Sequence, residues 1–503
     1  MNASSSATEE LPLLQLSKPF SVGAVHVPAV LPQDLGDPTF CSDHGLEFPY
    51  VAGAMANGIA SVEIVAAMSA EGMLGFFGAA GLSLPAIEKA IDRLQSELGD
   101  KPYGFNLIHS PNEPDLEMAV VGLYLRRGVR LVEASAYMDL TLPLLRYRLQ
   151  GIHRAPSGEA VTPNRVIAKV SRVEVASKFF APAPEKMLRA LVEAGHLSAE
   201  QALLAAEVPV AQDLTAEADS GGHTDNRPAI TMLPTMLALR DELQARHAFR
   251  QALRVGAAGG ISTPAAAGAA FLMGAAYVLT GSVNQACVES GSSDVVRGML
   301  AKAEQADVAM APAADMFEMG VKVQILKRGT MFAMRASKLY EIYRACESIE
   351  AIPAAQRLML ERDYFRAPLE EIWAQTREFF AQRDPAQAVR AEKEPKHKMA
   401  LVFRWYLGRA SRWANAGEAS RQVDFQVWCG PAMGAFNEWA KGSFLENPAE
   451  RGVAAVALNI LGGAAALTRL HFLRCQGIPI DPGWSRIVPA RPEVWRQRMK
   501  RRD

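Results

Sequence analysis

The sequence predicts an α/β protein, a (β/α)8 TIM barrel with a C-terminal helical appendage. Eight short apolar runs alternate with helix-like segments between residues 48 and 285. The runs are apolar almost throughout, as is typical of parallel strands buried on both faces. Eight strand–helix units in roughly 240 residues match the size of such a barrel. A doubly wound sheet would alternate in the same way, so alternation alone leaves both arrangements open.

Local signals define the individual barrel elements. Several helix candidates begin with Pro in the first turn or with a Ser, Asp or Thr cap, as helix starts prefer. The strand candidates are Tyr50–Met55, Met73–Gly78, Tyr103–Leu107, Val129–Ala134, Arg165–Val170, Val208–Thr215, Leu253–Ala258 and Ala276–Thr280. The helix candidates are Ser61–Ala70, Pro85–Leu98, Asp115–Arg126, Pro143–Gln150, Pro184–Glu193, Ser198–Ala206, Met232–His247 and Thr263–Met273.

The pattern changes after Gln285. Ser290–Asp294 predicts a loop with a helix cap, and Val295–Lys398 is typical of charged helices. The mixed-charge segment Glu392–Lys398 predicts a solvated linker or an exposed turn. Three more helices and a turn-rich stretch are predicted at Leu401–Trp413, Trp428–Phe444, Ala449–Arg474 and Ile478–Val488. The predicted organisation is an N-terminal extension (1–47), a barrel (48–285) and a helical substrate or partner domain (286–503).

Composition excludes several classes of protein. The 503 residues include 53 Lys and Arg and 54 Asp and Glu, and this balance argues against nucleic-acid binding or adhesion to anionic membranes. Five scattered cysteines without a CxxC pair indicate a reducing cytoplasm. The first ten residues lack a secretory signal and read as a flexible tail. Two apolar stretches, Val255–Val283 and Gly452–Leu467, read as buried core rather than membrane spans.

Glycine-rich loops follow the seventh and eighth strand candidates. Gly259 and Gly260 lie within Val255–Thr263, and Gly281 with Ser282 follows the eighth strand. A phosphate group needs bare backbone N–H groups, and barrels of this kind bind phosphate with these two loops. Each loop alone would be read as a tight turn, but the two together predict a phosphate site. No GxGxxG follows a strand, so a Rossmann-type dinucleotide site is not expected.

His223 is the candidate for proton chemistry. It follows Gly221 and Gly222 at the end of the sixth strand, where barrel active sites are assembled. The ordinary pKa of histidine suits proton transfer near neutral pH, although a structural hydrogen-bonding role stays open. No second His or Cys lies at ligand spacing, so no metal site is expected. Three acidic residues lie nearby: Glu217, Asp219 and Asp225.

Longer strings carry a family resemblance from about residue 40 onward. AGAMANGIAS (Ala52–Ser61), GFNL, IAKV, DSGGH, AAGGI and TGS resemble FMN-dependent 2-nitropropane dioxygenase-like barrels, which include nitronate monooxygenases and FMN-type enoyl-acyl carrier protein reductases. Asp213–Pro228, Val321–Tyr343 and Val427–Trp439 are more specifically similar to the PfaD family, the trans-acting enoyl reductases of polyunsaturated fatty acid and polyketide synthases. The superfamily usually has EAGGH where this chain has DSGGH, which weakens a nitronate oxidase assignment and leaves the role of Asp219 open.

The resemblance implies a cofactor, a substrate and site residues. FMN would lie at the C-terminal mouth of the barrel, with NADPH or NADH as hydride donor and an enoyl thioester on an acyl carrier protein as substrate. His223 would protonate the α-carbon or hydrogen-bond the thioester carbonyl. Lys169 would stabilise reduced flavin, and the alternative for it is a buried ion pair. The implied cofactor-binding residues are Gly53, Ala54, Met55, Asn106, Lys169, Gly221, Gly222, Gly259, Gly260, Gly281 and Ser282. A homodimer is also implied.

Two segments of the appendage are candidates for partner or substrate contact. Gly430–Trp439 is expected either to cover the barrel mouth and shape an acyl tunnel or to belong to the core. A basic cluster predicts a surface for an acidic carrier protein, or else a solvated helix face. Its members are Lys322, Lys327, Arg328, Arg335 and Lys338.

Two other functions stay open: a nitronate monooxygenase-like flavin oxidase and a non-catalytic synthase scaffold with a vestigial barrel.

Overall fold

The computed structural model describes residues 11–109 and 114–500, so the predicted tail at residues 1–10 lies outside the described part. The strands are β1 (Phe20–Val22), β2 (Val25–Val27), β3 (Tyr50–Ala52), β4 (Leu74–Phe77), β5 (Gly104–Ile108), β6 (Leu131–Ser135), β7 (His153–Arg154), β8 (Ala160–Val161), β9 (Arg165–Val170), β10 (Asp213–Glu217), β11 (Gly222–His223), β12 (Arg254–Ala258), β13 (Val278–Thr280), β14 (Val308–Pro312) and β15 (Lys322–Leu326).

The helices alternate with the strands through the barrel and dominate the C-terminal part. They are α1 (Pro38–His44), α2 (Val62–Ala70), α3 (Leu84–Leu98), α4 (Pro114–Arg127), α5 (Leu142–Leu149), α6 (Val173–Phe179), α7 (Glu185–Glu193), α8 (Ala199–Leu204), α9 (Ala229–His247), α10 (Pro264–Leu272), α11 (Ser282–Gln285), α12 (Asp294–Leu300), α13 (Phe332–Ala345), α14 (Ala354–Met359), α15 (Leu369–Arg383), α16 (Pro385–Lys393), α17 (Pro395–Ala416), α18 (Ala432–Ala440), α19 (Val453–Cys475) and α20 (Pro492–Met499).

Eight parallel strands form a closed barrel in the order β3-β4-β5-β6-β9-β10-β12-β13. The barrel closes where β13 pairs with β3, which sets Val278 opposite Tyr50 and Thr280 opposite Ala52. Each of the eight predicted runs supplies one of these strands, and β9 has the bounds of its predicted run. The barrel and its C-terminal helical region are therefore confirmed, and the doubly wound sheet is excluded.

The sixth strand is displaced from its predicted position. β10 spans Asp213–Glu217 rather than Val208–Thr215. Val210 and Ala211 are buried, but their N–H groups donate to carbonyl groups of α6 and of the connection that follows it. An apolar run indicates burial without saying whether the buried backbone pairs with a strand or with a loop.

Helix α1 seals the N-terminal end of the barrel. Phe40 of α1 stacks on Tyr277, with ring centroids 4.1 Å apart. Near this pair, Asp213 accepts hydrogen bonds from Nε of Arg254 at 2.6 Å and from Nε2 of His44 at 2.8 Å. Burial would raise the pKa of Asp213, but these hydrogen bonds and positive charges lower it to about 2. Ligands therefore reach the barrel from the carboxyl ends of its strands, as in other barrels of this type.

The largest hydrophobic core joins the outside of the barrel to both ends of the described chain. It includes Leu13 and Leu16, the barrel helices and most of α19. In the described residues, α19 alone is long and apolar enough to cross a membrane, and 83% of its most apolar window is buried inside the protein. Helix α19 is therefore a core helix here, packed along α10. The predicted domain boundaries at residues 48 and 285 stay predictions.

A second core forms between β14 and the end of α17. This region is not helical throughout, contrary to the prediction for Val295–Lys398. β14 pairs antiparallel with β15, and β15 also pairs antiparallel with β11, which carries His223. Strands of five residues contain too few alternations to be distinguished from helix by periodicity.

The predicted linker at Glu392–Lys398 is instead almost entirely helical. Helix α16 ends at Lys393, and α17 begins at Pro395. Nζ of Lys396 donates to two carbonyl groups at the end of α13, which orders this charged segment by tertiary contact. Helix α18 is also shorter than its predicted range, Trp428–Phe444.

Candidate active site

A cavity of ≈ 490 Å³ opens at the carboxyl ends of the barrel strands and continues between α15 and α17. We call the part of the cavity between α15 and α17 the outer part. The inner part is lined by residues at the ends of β3, β5, β9, β10, β12 and β13. The structure brings every predicted site residue to the wall of this one cavity. These residues are Gly53, Ala54, Met55, Asn106, Lys169, Gly221, Gly222, His223, Gly259, Gly260, Gly281 and Ser282.

The loops after β12 and β13 present bare backbone to the cavity. A Cβ atom placed on Gly260 or Gly281 would have no neighbouring atom within 4 Å, so a side chain there would project into open space. Within the described residues, the N–H groups of these two glycines donate to no other group. Free N–H groups that a side chain would obstruct form a suitable cradle for a phosphate group. The two loops therefore fit a phosphate group.

His223 forms a hydrogen-bonded pair with Asp315, which follows β14. Nε2 of His223 lies 3.0 Å from Oδ2 of Asp315. Burial alone would lower the pKa of His223, but the hydrogen bond and the charge of Asp315 raise it above its ordinary value. Burial would raise the pKa of Asp315, and the same bond lowers it. Because 33% of the His223 side chain is exposed, the pair can hold a proton and deliver it to a ligand.

A network around Asp219 holds the loop that carries His223. Oδ1 of Asp219 accepts hydrogen bonds from the side chains of Gln324 and Asn226, both at 2.8 Å. Gln324 lies on β15, so the network ties the loop to the C-terminal sheet. Asp219, whose role the sequence left open, is therefore a positioning residue. Among the described residues, no group of three or more His, Cys, Asp and Glu side chains is arranged to hold a metal ion.

Lys169 lies between two carboxylates. Its Nζ is 3.5 Å from Oε2 of Glu133 and 3.6 Å from Oε1 of Glu217. Burial alone would lower the pKa of Lys169, but the two carboxylates raise it, so this side chain is a cation. Burial raises the pKa of Glu133, although Lys169 and the N–H of Ala54 act in the opposite direction. Lys169 thus has the ion-pair role left open by the sequence and also lines the cavity.

Asn106 has a fixed side-chain orientation. Its Nδ2 donates to the carbonyl of Glu133 at 3.2 Å and to Oγ of Ser135 at 3.1 Å. The hydroxyl of Tyr124 donates to the backbone carbonyl of Asn106 at 2.8 Å. With Nδ2 engaged in this way, Oδ1 of Asn106 is the side-chain atom left to accept a hydrogen bond from a ligand.

Sequence reasoning missed three polar residues of the site: Glu133, Asp315 and Gln324. Glu133 carries a usable signal, because a carboxylate inside the predicted strand Val129–Ala134 is buried only with a partner. Asp315 and Gln324 carry no comparable signal. They reach the barrel through the pairing of β11 with β15, which no local pattern predicts.

Three of the five members of the predicted basic cluster form ion pairs within the chain, and its role as a carrier-protein surface stays a prediction. These are Arg328 with Glu304 and Asp307, Arg335 with Asp424, and Lys338 with Glu341. Arg335 is also largely buried, with 14% of its side chain exposed. Spacing along the chain did not reveal the partners of Arg328 and Arg335, because those carboxylates come from other parts of the chain. The cluster is therefore not a single cationic face.

The segment Gly430–Trp439 reaches the barrel mouth at its start and is buried further on, while its predicted part in an acyl tunnel stays a prediction. The N–H of Gly430 donates to Oγ of Ser282 at 3.1 Å, and Ala432 lines the cavity. Met433 and Phe436 are fully buried. The start of the segment therefore covers the barrel mouth, and α18 belongs to the core.

The fold and the site define a (β/α)8 barrel with exposed glycine backbone and a paired histidine at the mouth where such barrels carry their active sites. The sequence profile of the nitronate monooxygenase family matches residues 39–350. The chain therefore belongs to the nitronate monooxygenase family. A second profile, described as acyl-carrier-protein S-malonyltransferase, inserted helical domain, matches residues 346–425.

Individual relatives extend this assignment. The chain is 49% identical over 449 residues to a polyunsaturated fatty acid synthase subunit of Thraustochytrium sp., covering 88% of this chain and 30% of that protein. It is 45% identical over 436 residues to polyketide biosynthesis protein PksE of Bacillus subtilis, covering 86% and 56%. The crystal structure of the enoyl reductase domain of MlnA, from the macrolactin biosynthesis cluster of Bacillus amyloliquefaciens, matches with a TM-score of 0.83 at 40% identity, covering 88% and 99%.

These relatives confirm the resemblance to synthase-associated enoyl reductases. The chain spans 30% and 56% of the length of the two curated relatives described above. It spans nearly the whole of the MlnA domain.

Proposed function

We propose that this chain is an FMN-dependent enoyl reductase that acts in trans on enoyl thioesters of an acyl carrier protein in polyketide or polyunsaturated fatty acid synthesis. In the overall reaction, NAD(P)H is oxidised to NAD(P)⁺, C3 of the enoyl group gains a hydride and C2 gains a proton. The observation that carries the proposal is the single cavity that joins the phosphate cradle and His223 to α15 and α17. A thioester on a long carrier arm needs such a passage, whereas a small nitronate does not.

The described residues fit FMN at the barrel mouth. Gly260 and Gly281 offer bare backbone to its phosphate, and Asn106 offers Oδ1 as an acceptor. Bound FMN supplies hydride transfer between a nicotinamide and an activated double bond. Lys169 contributes a permanent positive charge to the same wall, which stabilises negative charge on a bound ligand.

His223 supplies the proton in this proposal. Its Nε2 is held by Asp315, and a protonated imidazole still has the Nδ1–H group to donate. Asp315 orients the ring and favours the protonated form through its charge. The proton goes to C2 of the thioester, and the partly exposed ring regains a proton from solvent. Asp219, Gln324 and the pairing of β11 with β15 keep the ring in place.

The absorption spectrum of the purified protein during anaerobic titration tests the proposal. NADPH or NADH should bleach the flavin bands, and crotonyl-pantetheine should restore them without oxygen. Restoration by oxygen or a nitronate alone would assign a flavin oxidase instead. Protein that takes up no FMN would indicate a non-catalytic scaffold.

A histidine variant separates chemistry from cofactor binding. His223→Ala should lower enoyl turnover by about a hundredfold or more, the range of general acid catalysis, and keep its FMN. The control is His26→Ala, which removes an exposed histidine of β2, far from His223 in the sequence, and should leave turnover unchanged. Unchanged turnover in His223→Ala would contradict the assigned role.

The cytoplasmic location and the homodimer are also proposals. Size-exclusion chromatography with light scattering tests the homodimer.

A further inference from the structure

The outer part of the cavity has two walls formed by facing helical stripes. The lining positions on α15 and α17 recur every three or four residues, so each set lies on one helix face. The lining residues are Gln375, Thr376, Phe379, Phe380 and Arg383 on α15, and Leu401, Arg404, Trp405, Gly408, Arg409, Ser411 and Arg412 on α17. A Cβ atom on Gly408 would meet nothing within 4 Å, which leaves space between the walls.

Three guanidinium groups meet at this outer part, and we call Arg383, Arg409 and Arg412 the outer arginine cluster. Arg409 lies over the ring of Trp405, 5.5 Å from its centroid. Arg383 lies over the ring of Phe379 at 5.7 Å. Stacking on an aromatic face holds a guanidinium group in place and directs its N–H donors to the edge of the ring.

The charges in the cavity are separated along its length. Its two carboxylates, Glu217 and Asp315, belong to the inner part, where they pair with Lys169 and His223. At the outer part, Arg404 is neutralised by Glu318 and donates to the carbonyl of Ala314 at 2.8 Å.

Two members of the outer arginine cluster have no acidic partner in the described part of the chain. Neither Arg409 nor Arg412 forms an ion pair there. Burial lowers the pKa of Arg412, and the nearby guanidinium groups of Arg409 and Arg383 lower it further, so two like charges lie close to this side chain. Arginines gathered against their mutual repulsion at a cavity wall are typical of an anion site.

We propose that Arg409 and Arg412 bind a phosphate ester on a ligand whose other end lies in the inner part of the cavity. The inference rests on the proposed function, because it assumes that ligands lie along the whole cavity. Arginine forms two parallel hydrogen bonds to phosphate, and the aromatic rings beside the cluster suit an organic group attached to that phosphate. Two ligands of the proposed reaction carry such a group: the phosphopantetheine arm of an acyl carrier and the adenosine 2′-phosphate of NADPH.

Binding of small probes to the full-length protein, measured by isothermal titration calorimetry, tests the proposal. 4′-Phosphopantetheine is compared with pantetheine, and 2′,5′-ADP with 5′-AMP. One of the two phosphates should tighten binding by about tenfold or more, and Arg409→Gln or Arg412→Gln should remove that gain. The pair of probes that shows the gain identifies the source of the phosphate.

Arg377→Gln is the matched control, because Arg377 is an exposed arginine on α15 that does not line the cavity. This variant should keep the phosphate gain. The proposal is overturned if neither phosphate tightens binding, or if the gain survives in both Arg409→Gln and Arg412→Gln.

Turnover of a thioester without phosphate separates this proposal from the proposed function. Wild type is assayed with crotonyl-N-acetylcysteamine, a thioester that carries no phosphate, and with NADH as the donor. If wild type reduces no enoyl thioester while the phosphate gain is present, the enoyl reductase assignment fails and the phosphate site stands. If wild type reduces the thioester and neither phosphate tightens binding, the phosphate site fails and the enoyl reductase assignment stands.

Discussion

Replacing Lys169 with methionine removes the cation between Glu133 and Glu217 and keeps the length of the side chain. At 3.5 Å and an effective dielectric constant of about 20, the attraction between Lys169 and Glu133 is about 5 kcal/mol before desolvation. Burying the ammonium group offsets much of this attraction, so the pair adds little net stability. Removing Lys169 alone is different, because Glu133 is then a buried carboxylate that has lost its positively charged partner. We expect Lys169→Met to lower the free energy of unfolding by about 3–5 kcal/mol.

The size of this loss should depend on pH, because Glu133 can take up a proton. Burial already raises the pKa of Glu133 in the folded protein, and loss of the Lys169 cation raises it further. A carboxyl group whose pKa is higher in the folded than in the unfolded protein stabilises the fold at low pH, where it is protonated. That stabilisation is fully present below the pKa of the unfolded state and is lost as the pH rises through the pKa of the folded state. Lys169→Met should therefore be destabilised less at pH 5 than at pH 8.

Urea unfolding followed by circular dichroism at both pH values measures the effect. Glu133→Gln added to Lys169→Met should recover part of the loss at pH 8 and reduce the difference between the two pH values. Lys178→Met is the control, because the ion pair of Lys178 with Asp139 is exposed and is worth at most about 1 kcal/mol. A loss in Lys169→Met below that of the control, or an equal loss at both pH values, would refute the reasoning.

Three further predictions concern other parts of the molecule. Asp315→Asn should move the basic limb of the kcat–pH profile to lower pH, because the pKa of His223 loses the carboxylate that raises it; an unmoved limb would contradict the pairing. Gly281→Ala should weaken FMN binding by about tenfold, measured by flavin fluorescence, while Gly298→Ala on α12 should not. Asp213→Asn should lower the free energy of unfolding by about 3 kcal/mol at pH 7. This loss should fade in acid, because a carboxyl with its pKa lowered to about 2 loses its contribution as pH falls through that value; a loss that is the same in acid would count against the network.

Much of the site could be predicted because barrels place function at a known position. His223 and the glycines after β12 and β13 follow strands directly, so locating the strands also located these residues. Glu133 could have been found from its position inside an apolar strand. The outer arginine cluster had no comparable signal, because α15 and α17 read as ordinary charged helices until their facing stripes are seen together.

The sequence by itself determined the eight alternating units of the barrel and the position of the predicted site residues, because burial of apolar runs and the lengths of their connections are local properties. Only the tertiary structure decided which charges meet. His223 and Asp315 are 92 residues apart in the chain, and Lys169 meets Glu133 and Glu217 from three different strands. Electrostatic partners act over a few ångströms in space and leave no periodic trace along the chain.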